Sequence, residues 1–92
     1  MREFYIEVDL KKKLSKLFKK DRYRYELLTK KIQEILACEN VEHYKNLRKP
    51  LQHLKRVHIN THFVLVFKYD KENDTVLFYD VDHHDSIYKI KN

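Results

Sequence analysis

Ninety-two residues without a single glycine set the first limit on how this chain can fold. Glycine allows positive φ and close backbone approach at almost no steric cost. Its absence therefore excludes phosphate-binding loops, the dinucleotide fingerprint and the nucleophile elbow, each of which depends on it. Reversals of direction must use other residues. The segment Asp70–Asp74, DKEND, offers Asn and Asp where glycine would be usual, and reads as a hairpin loop between two apolar runs.

Hydrophobic periodicity orders the rest. Phe4, Ile6 and Val8 alternate as a short strand would. Asp9 is a plausible N-cap for a helix whose apolar positions are Leu10, Leu14, Leu17 and Phe18, with lysines filling its solvated face. Asp21 can cap a second helix carrying Tyr25, Leu28, Ile32, Ile35 and Leu36. The short link between the helices predicts a hairpin. Residues 41–53 are irregular, and Pro50 forbids a helix interior there. Strand patterns follow over Lys55–Ile59, His62–Tyr69 and Val76–Val81, with Asn60-Thr61 as a turn and Ser86–Ile90 as a short final strand. His62–Tyr69, apolar on both sides, is predicted to be central. The expectation is one α+β domain over residues 1–92: a small antiparallel β-sheet packed against an N-terminal two-helix hairpin, in the order strand, helix, helix, strand, strand, strand.

The formal net charge of +6 favours a polyanion or an acidic protein as partner over a neutral metabolite. The charge is uneven: residues 41–69 hold six Lys/Arg against one Asp/Glu, and residues 70–92 reverse the sign. One cysteine, Cys38, leaves no internal disulfide and suits a reducing compartment. No apolar run approaches the length needed to cross a bilayer, so a cytoplasmic protein without a membrane partner is expected.

Four of the six histidines, His58, His62, His83 and His84, border the strands of the second half. Alternation puts Arg56 and His58 on one side of their strand, and an antiparallel return brings His83-His84 toward His62. Converging imidazoles can bind a metal ion. They can also cleave RNA, one removing the 2′-hydroxyl proton and another protonating the departing 5′-oxygen, while cationic side chains stabilise the phosphorane. Chemistry alone leaves both open, beside non-catalytic binding of nucleic acid or protein.

The residues Lys45-Asn46-Leu47-Arg48, Arg56-Val57-His58-Ile59, His62–Phe67 and His84 with Tyr88 resemble the second half of the RelE/ParE superfamily of type II toxin–antitoxin toxins, nearest the RelE and YafQ branch of mRNA endonucleases. The element order agrees over the full length. The resemblance implies a metal-independent endoribonuclease without cofactor, cleaving mRNA in the ribosomal A site by 2′-hydroxyl attack. His58 matches the catalytic histidine of YafQ-type toxins. His62 stands where relatives have a catalytic arginine or aspartate, a departure that leaves the acid and base assignment open. His84 matches the arginine or histidine after the fourth strand, and Tyr88 the terminal aromatic that orients substrate. Lys45, Arg48 and Arg56 fall at positions that hold the RNA backbone, while His83 and His53 become bystanders. The implied partners are mRNA, the ribosome and a cognate antitoxin through which the complex would bind operator DNA. A ParE-type gyrase inhibitor and an inactive antitoxin-binding module are the alternatives on the same fold.

Overall fold

A computed structural model describes residues 2–89. Strand β1 (Glu3–Ile6) leads into helices α1 (Val8–Lys20) and α2 (Arg22–Ala37), and one turn of 3-10 helix follows at Val41–His43. Strands β2 (Lys55–His58), β3 (Phe63–Asp70) and β4 (Thr75–His83) come next, then helix α3 (His84–Lys89). The expected antiparallel meander is present as β2–β3–β4. β1 adds to the far edge of β4 in parallel, giving the order β1-β4-β3-β2 and a mixed rather than wholly antiparallel sheet.

Asp21 alone joins α1 to α2. Its backbone N–H closes α1 on Leu17 O at 2.8 Å, and its side chain accepts from Arg24 N–H at 3.1 Å, the N-cap bond expected of it. The start of α1 differs from expectation: Glu7 is the N-cap, making no side-chain cap bond, and Asp9 lies inside the first turn. A carboxylate there still meets the positive end of the helix dipole.

Alternation along β3 divides the apolar residues between two faces. Leu65 and Phe67 join Val76, Phe78 and Val81 beneath Leu10, Leu28, Ile32 and Ile35 of the helices. Val64 and Val66 point the other way, into a smaller cluster with Leu47, Leu54 and Ile87. Ile87 reaches it from α3, so the expected strand over Ser86–Ile90 is helical as far as Lys89, and Ile90 lies outside the described residues. Between β3 and β4 the register slips: Val66 faces Asp80 while Phe67 faces Phe78, so Tyr79 is the extra residue of a bulge. Among the described residues no helix is long and apolar enough to cross a membrane.

The DKEND loop turns as its composition suggests. Asp74 takes φ 49°, the left-handed region that glycine usually fills, and Asp70 accepts from Asn73 through backbone and side chain. Asp74 Oδ1 accepts from Tyr69 Oη at 2.7 Å and Arg2 Nε at 2.8 Å. Arg2 also donates to the carbonyls of Ile35, Leu36 and Cys38 at the end of α2, tying the hairpin loop to the helix layer. The Tyr69 hydroxyl and then Arg2 hold the Asp74 carboxyl below its ordinary value of 3.8. A depressed carboxylate stabilises the fold above its unfolded pKa and loses that contribution as pH falls through the folded one. The urea midpoint should therefore drop as pH is lowered below about 4. Asp74→Asn should show a smaller drop, and an equal drop would remove Asp74 from this role.

Candidate active site

The turn between β2 and β3 is built by Asn60. Its Oδ1 accepts from His62 N–H at 3.0 Å and Phe63 N–H at 2.9 Å, and Ile59 N–H donates to Phe63 O at 3.0 Å. This leaves His62 in the turn, one residue before β3 begins, with its ring exposed. β4 runs on to His83, opposite Phe63 in β3, and the chain then turns into α3. The His84 backbone N–H donates to His62 O at 2.8 Å, locking the start of α3 to the turn.

Four imidazoles gather at this end of the sheet. His62 stacks on His83 with ring centroids 5.6 Å apart and planes within 7°. His83 and His84 lie 4.8 Å apart, His62 and His84 6.3 Å, and His58 and His84 6.5 Å. One nitrogen from each of His62, His83 and His84 lies within 4.8 Å of the other two, close enough for the three to address a single ion. His84 faces an acceptor at each nitrogen: His62 O is 3.3 Å from Nδ1 and Asp85 Oδ1 is 3.0 Å from Nε2. His83 Nδ1 accepts from Asp85 N–H at 3.2 Å, with Asp85 Oδ2 3.7 Å away.

Basic residues border the cluster on the face opposite α1 and α2. Arg56 and His58 pair with Val66 and Val64, which places both on that face. An isolated bridge pairs Asn46 with Lys55. Arg56 N–H donates to Lys45 O and Leu47 N–H to Leu54 O, so Lys45 lies opposite Arg56. Lys55, buried on the helix side, holds this short extra pairing in place: its Nζ donates to Tyr44 O at 3.1 Å and Asn46 Oδ1 at 2.9 Å. Arg48 is exposed in the turn beyond Leu47, and no contact links it to the histidines among the described residues. Tyr88 falls within α3, and its side chain lies outside the described residues.

This geometry can be set beside known proteins. A Methanocaldococcus jannaschii protein named "Putative toxin RelE4" is 52% identical over 91 residues, covering 99% of this chain and 95% of its own. The chain belongs to the RelE/ParE superfamily of toxins. No family model matches it. The fold agrees with solved RelE/ParE-type structures at low identity. A metal-bound toxin from Helicobacter pylori superposes with a TM-score of 0.74 at 20% identity, over 95% of this chain and 99% of that one. A chain of the intact E. coli RelBE toxin–antitoxin complex does so at 0.67 and 18%, over 90% and 96%.

Within this RelE/ParE chain, the expected residues His58, His62 and His84 are brought together, with Arg56 and Lys45 on the adjoining face. His83 is the correction: it belongs to the stack rather than standing by. Its register with Phe63 puts it on the helix side by alternation, but at the last position of β4 the ring clears the sheet edge and meets His62. Asp85 joins the site as well, within the run Asp82-His83-His84-Asp85 that signals it in the sequence. His53 lines a separate small cavity with Leu47, Leu54 and Ile87. Lys13 leaves the solvated lysine face of α1 to donate to Asp80 at 2.7 Å and Val81 O at 2.9 Å, fastening α1 to β4 just before the cluster. Burial works against the Lys13 ammonium, but the pairs with Asp80 and Asp82 outweigh it and raise its pKa.

Proposed function

We propose that this toxin is a metal-independent endoribonuclease that cleaves mRNA in association with the ribosome. The observation that carries this reading is the convergence of His58, His62 and His84 beside Arg56 and Lys45 on an exposed sheet face. The RelE name of the M. jannaschii relative agrees with it.

In the proposed reaction one imidazole takes the proton of the 2′-hydroxyl, whose oxygen attacks the adjacent phosphorus. The bond to the 5′-oxygen breaks, and a second imidazole gives that oxygen a proton. The products are a 2′,3′-cyclic phosphate and a 5′-hydroxyl. His58 and His84, 6.5 Å apart, can address different oxygens of one phosphate. A carbonyl and a carboxylate only accept, so His62 O and Asp85 can between them hold a His84 ring that donates from both nitrogens. That supports His84 as general acid and His58 as base, with His62 beside the phosphate and Tyr88 positioning a base of the RNA. Arg56, with Lys45 and Arg48, would bind phosphate oxygens; the planar guanidinium matches two of them at once.

Arg56→Ala should weaken RNA binding and lower the slope of log affinity against log salt by about 0.7, the value for one phosphate contact on a single strand. An unchanged slope would remove Arg56 from the phosphate. A cognate antitoxin is the inferred protein partner. The +6 charge suits an acidic antitoxin segment, through which the pair would reach operator DNA.

The test is primer extension on cellular mRNA after induced expression, with purified protein assayed in chelator alongside. New 5′ ends in coding regions and undiminished cleavage in chelator are expected. Growth arrest with intact transcripts would replace this reading with gyrase inhibition.

A further inference from the structure

We propose that His62, His83 and His84 form a binding site for a borderline divalent transition-metal ion, Zn2+ being the type, and that its occupancy shuts off RNA cleavage. The second half rests on the nuclease reading above, whereas the first stands without it.

Geometry comes first. Zinc bound to imidazole at about 2.0–2.1 Å in a tetrahedron needs ligand nitrogens about 3.3 Å apart. The three nitrogens here already lie within 4.8 Å of one another, and His62 is exposed while His83 and His84 are part-exposed, so their rings have room to close the difference. The backbone beneath them is fixed. His62 sits in a turn clamped twice by Asn60, His83 is paired opposite Phe63, and His84 is bonded through its N–H to His62 O. Little ordering is left for the ion to impose.

The surroundings match what a metal-bound histidine requires. Such a ring usually donates its other N–H to a carbonyl or carboxylate, which fixes the tautomer. His84 Nδ1 faces His62 O at 3.3 Å, so Nε2 is the ligating atom, exchanging its present Asp85 Oδ1 neighbour at 3.0 Å for the ion. Asp85 serves His83 in the same way: its carboxylate is 3.7 Å from Nδ1, and a small ring turn exchanges the present bond from Asp85 N–H for that oxygen. Three neutral nitrogens select zinc, copper or nickel over magnesium, calcium or manganese, which prefer oxygen. Three protein ligands on an open surface leave the fourth position to water.

Occupancy and the proposed reaction exclude each other at one atom. In the reaction above Nε2 of His84 would hand the leaving oxygen its proton, and an ion bound to Nε2 takes the place of that proton. A zinc-loaded chain therefore lacks its acid.

Calorimetry of ZnCl2 into the full chain, without RNA, tests the site. One ion per chain is expected. His83→Ala and His83→Gln should each bind more than about 100-fold more weakly, beyond the range for losing an outer-shell partner. His43→Ala and His53→Ala, which alter histidines outside the cluster, should bind as the parent does, with circular dichroism confirming that each variant is folded. No binding, or equal binding by both His83 variants, overturns the site. Cleavage measured in chelator and then at saturating zinc tests the regulation, with a loss of about 100-fold expected from removing a general acid. Equal or faster cleavage with zinc overturns that half. Failure to cleave even in chelator would sink the nuclease reading and the regulatory half together, and calorimetry would still decide the site.

Discussion

Replacing His84 with alanine should lower RNA cleavage by about 100- to 10,000-fold, the span over which a positioned general acid contributes. The loss should fall on the chemical step, because Arg56 and Lys45, which would hold the phosphate, lie on β2 and the segment bonded to it, which the substitution does not touch. The fold should survive. The part-exposed His84 ring belongs to neither apolar cluster, and its backbone bond to His62 O does not depend on the side chain. His84→Gln separates proton transfer from shape, since glutamine can still donate a hydrogen bond but is no acid. It should be nearly as slow as the alanine variant. A substrate with a 2′-deoxy sugar at the scissile nucleotide removes the nucleophile and should resist the unaltered chain altogether. Parent-like rates from His84→Ala, or normal cutting of the deoxy substrate, would eliminate the mechanism.

Phe67→Ala should cost the fold about 3–5 kcal/mol, the usual loss for truncating a buried phenylalanine to alanine. Phe67 has no exposed surface, sits mid-strand in β3, and meets Tyr44 edge-on at 5.6 Å and Phe78 at 6.2 Å. It therefore joins three parts of the chain: β3, β4 and the segment after the 3-10 turn. A small domain is stable by only about 5–15 kcal/mol in all, so such a loss brings it near unfolding. For a chain of this size the melting temperature should fall by more than about 12 °C. Phe63→Ala is the contrasting case: Phe63 is only partly buried and lies under the Arg24 guanidinium, 3.8 Å from its ring centre, so its truncation should cost less. A Phe67→Ala chain within about 1 kcal/mol of the parent would mean that the core packs differently.

Short-range features were legible in the sequence. Asp21 announced a cap and is one, and Val64–Phe67 announced a strand buried on both faces. The histidine convergence followed from alternation and an antiparallel return, which need only local pattern. Four features did not follow, each for a physical reason. Nothing in Phe4–Val8 says which sheet edge it joins, because edge choice is settled by the whole helix layer and not by the strand. Ser86–Lys89 alternates like a strand but is helical, where Ile87 packs against Val64 and Val66. His83, expected to be a bystander, stacks on His62, since alternation no longer governs a ring that overhangs the sheet edge. Lys13 looked like one more lysine of a solvated helix face, and only the chain path shows that it anchors β4.

The strand made last occupies an inner place in the sheet. β1 is synthesised first, yet its partner residues begin at Thr75, and β3 likewise lacks its second neighbour until β4 exists. A chain still being extended holds at most a β2–β3 hairpin and an unpaired first strand, and two of the four rings, His83 and His84, have not been made. Closing so long a separation carries an entropic cost that only the finished sheet offsets. The stack of His62, His83 and His84 therefore has no form on a chain that stops short of β4. His83 and His84 complete the cluster only when the last of the described strands has been made and has paired on both sides.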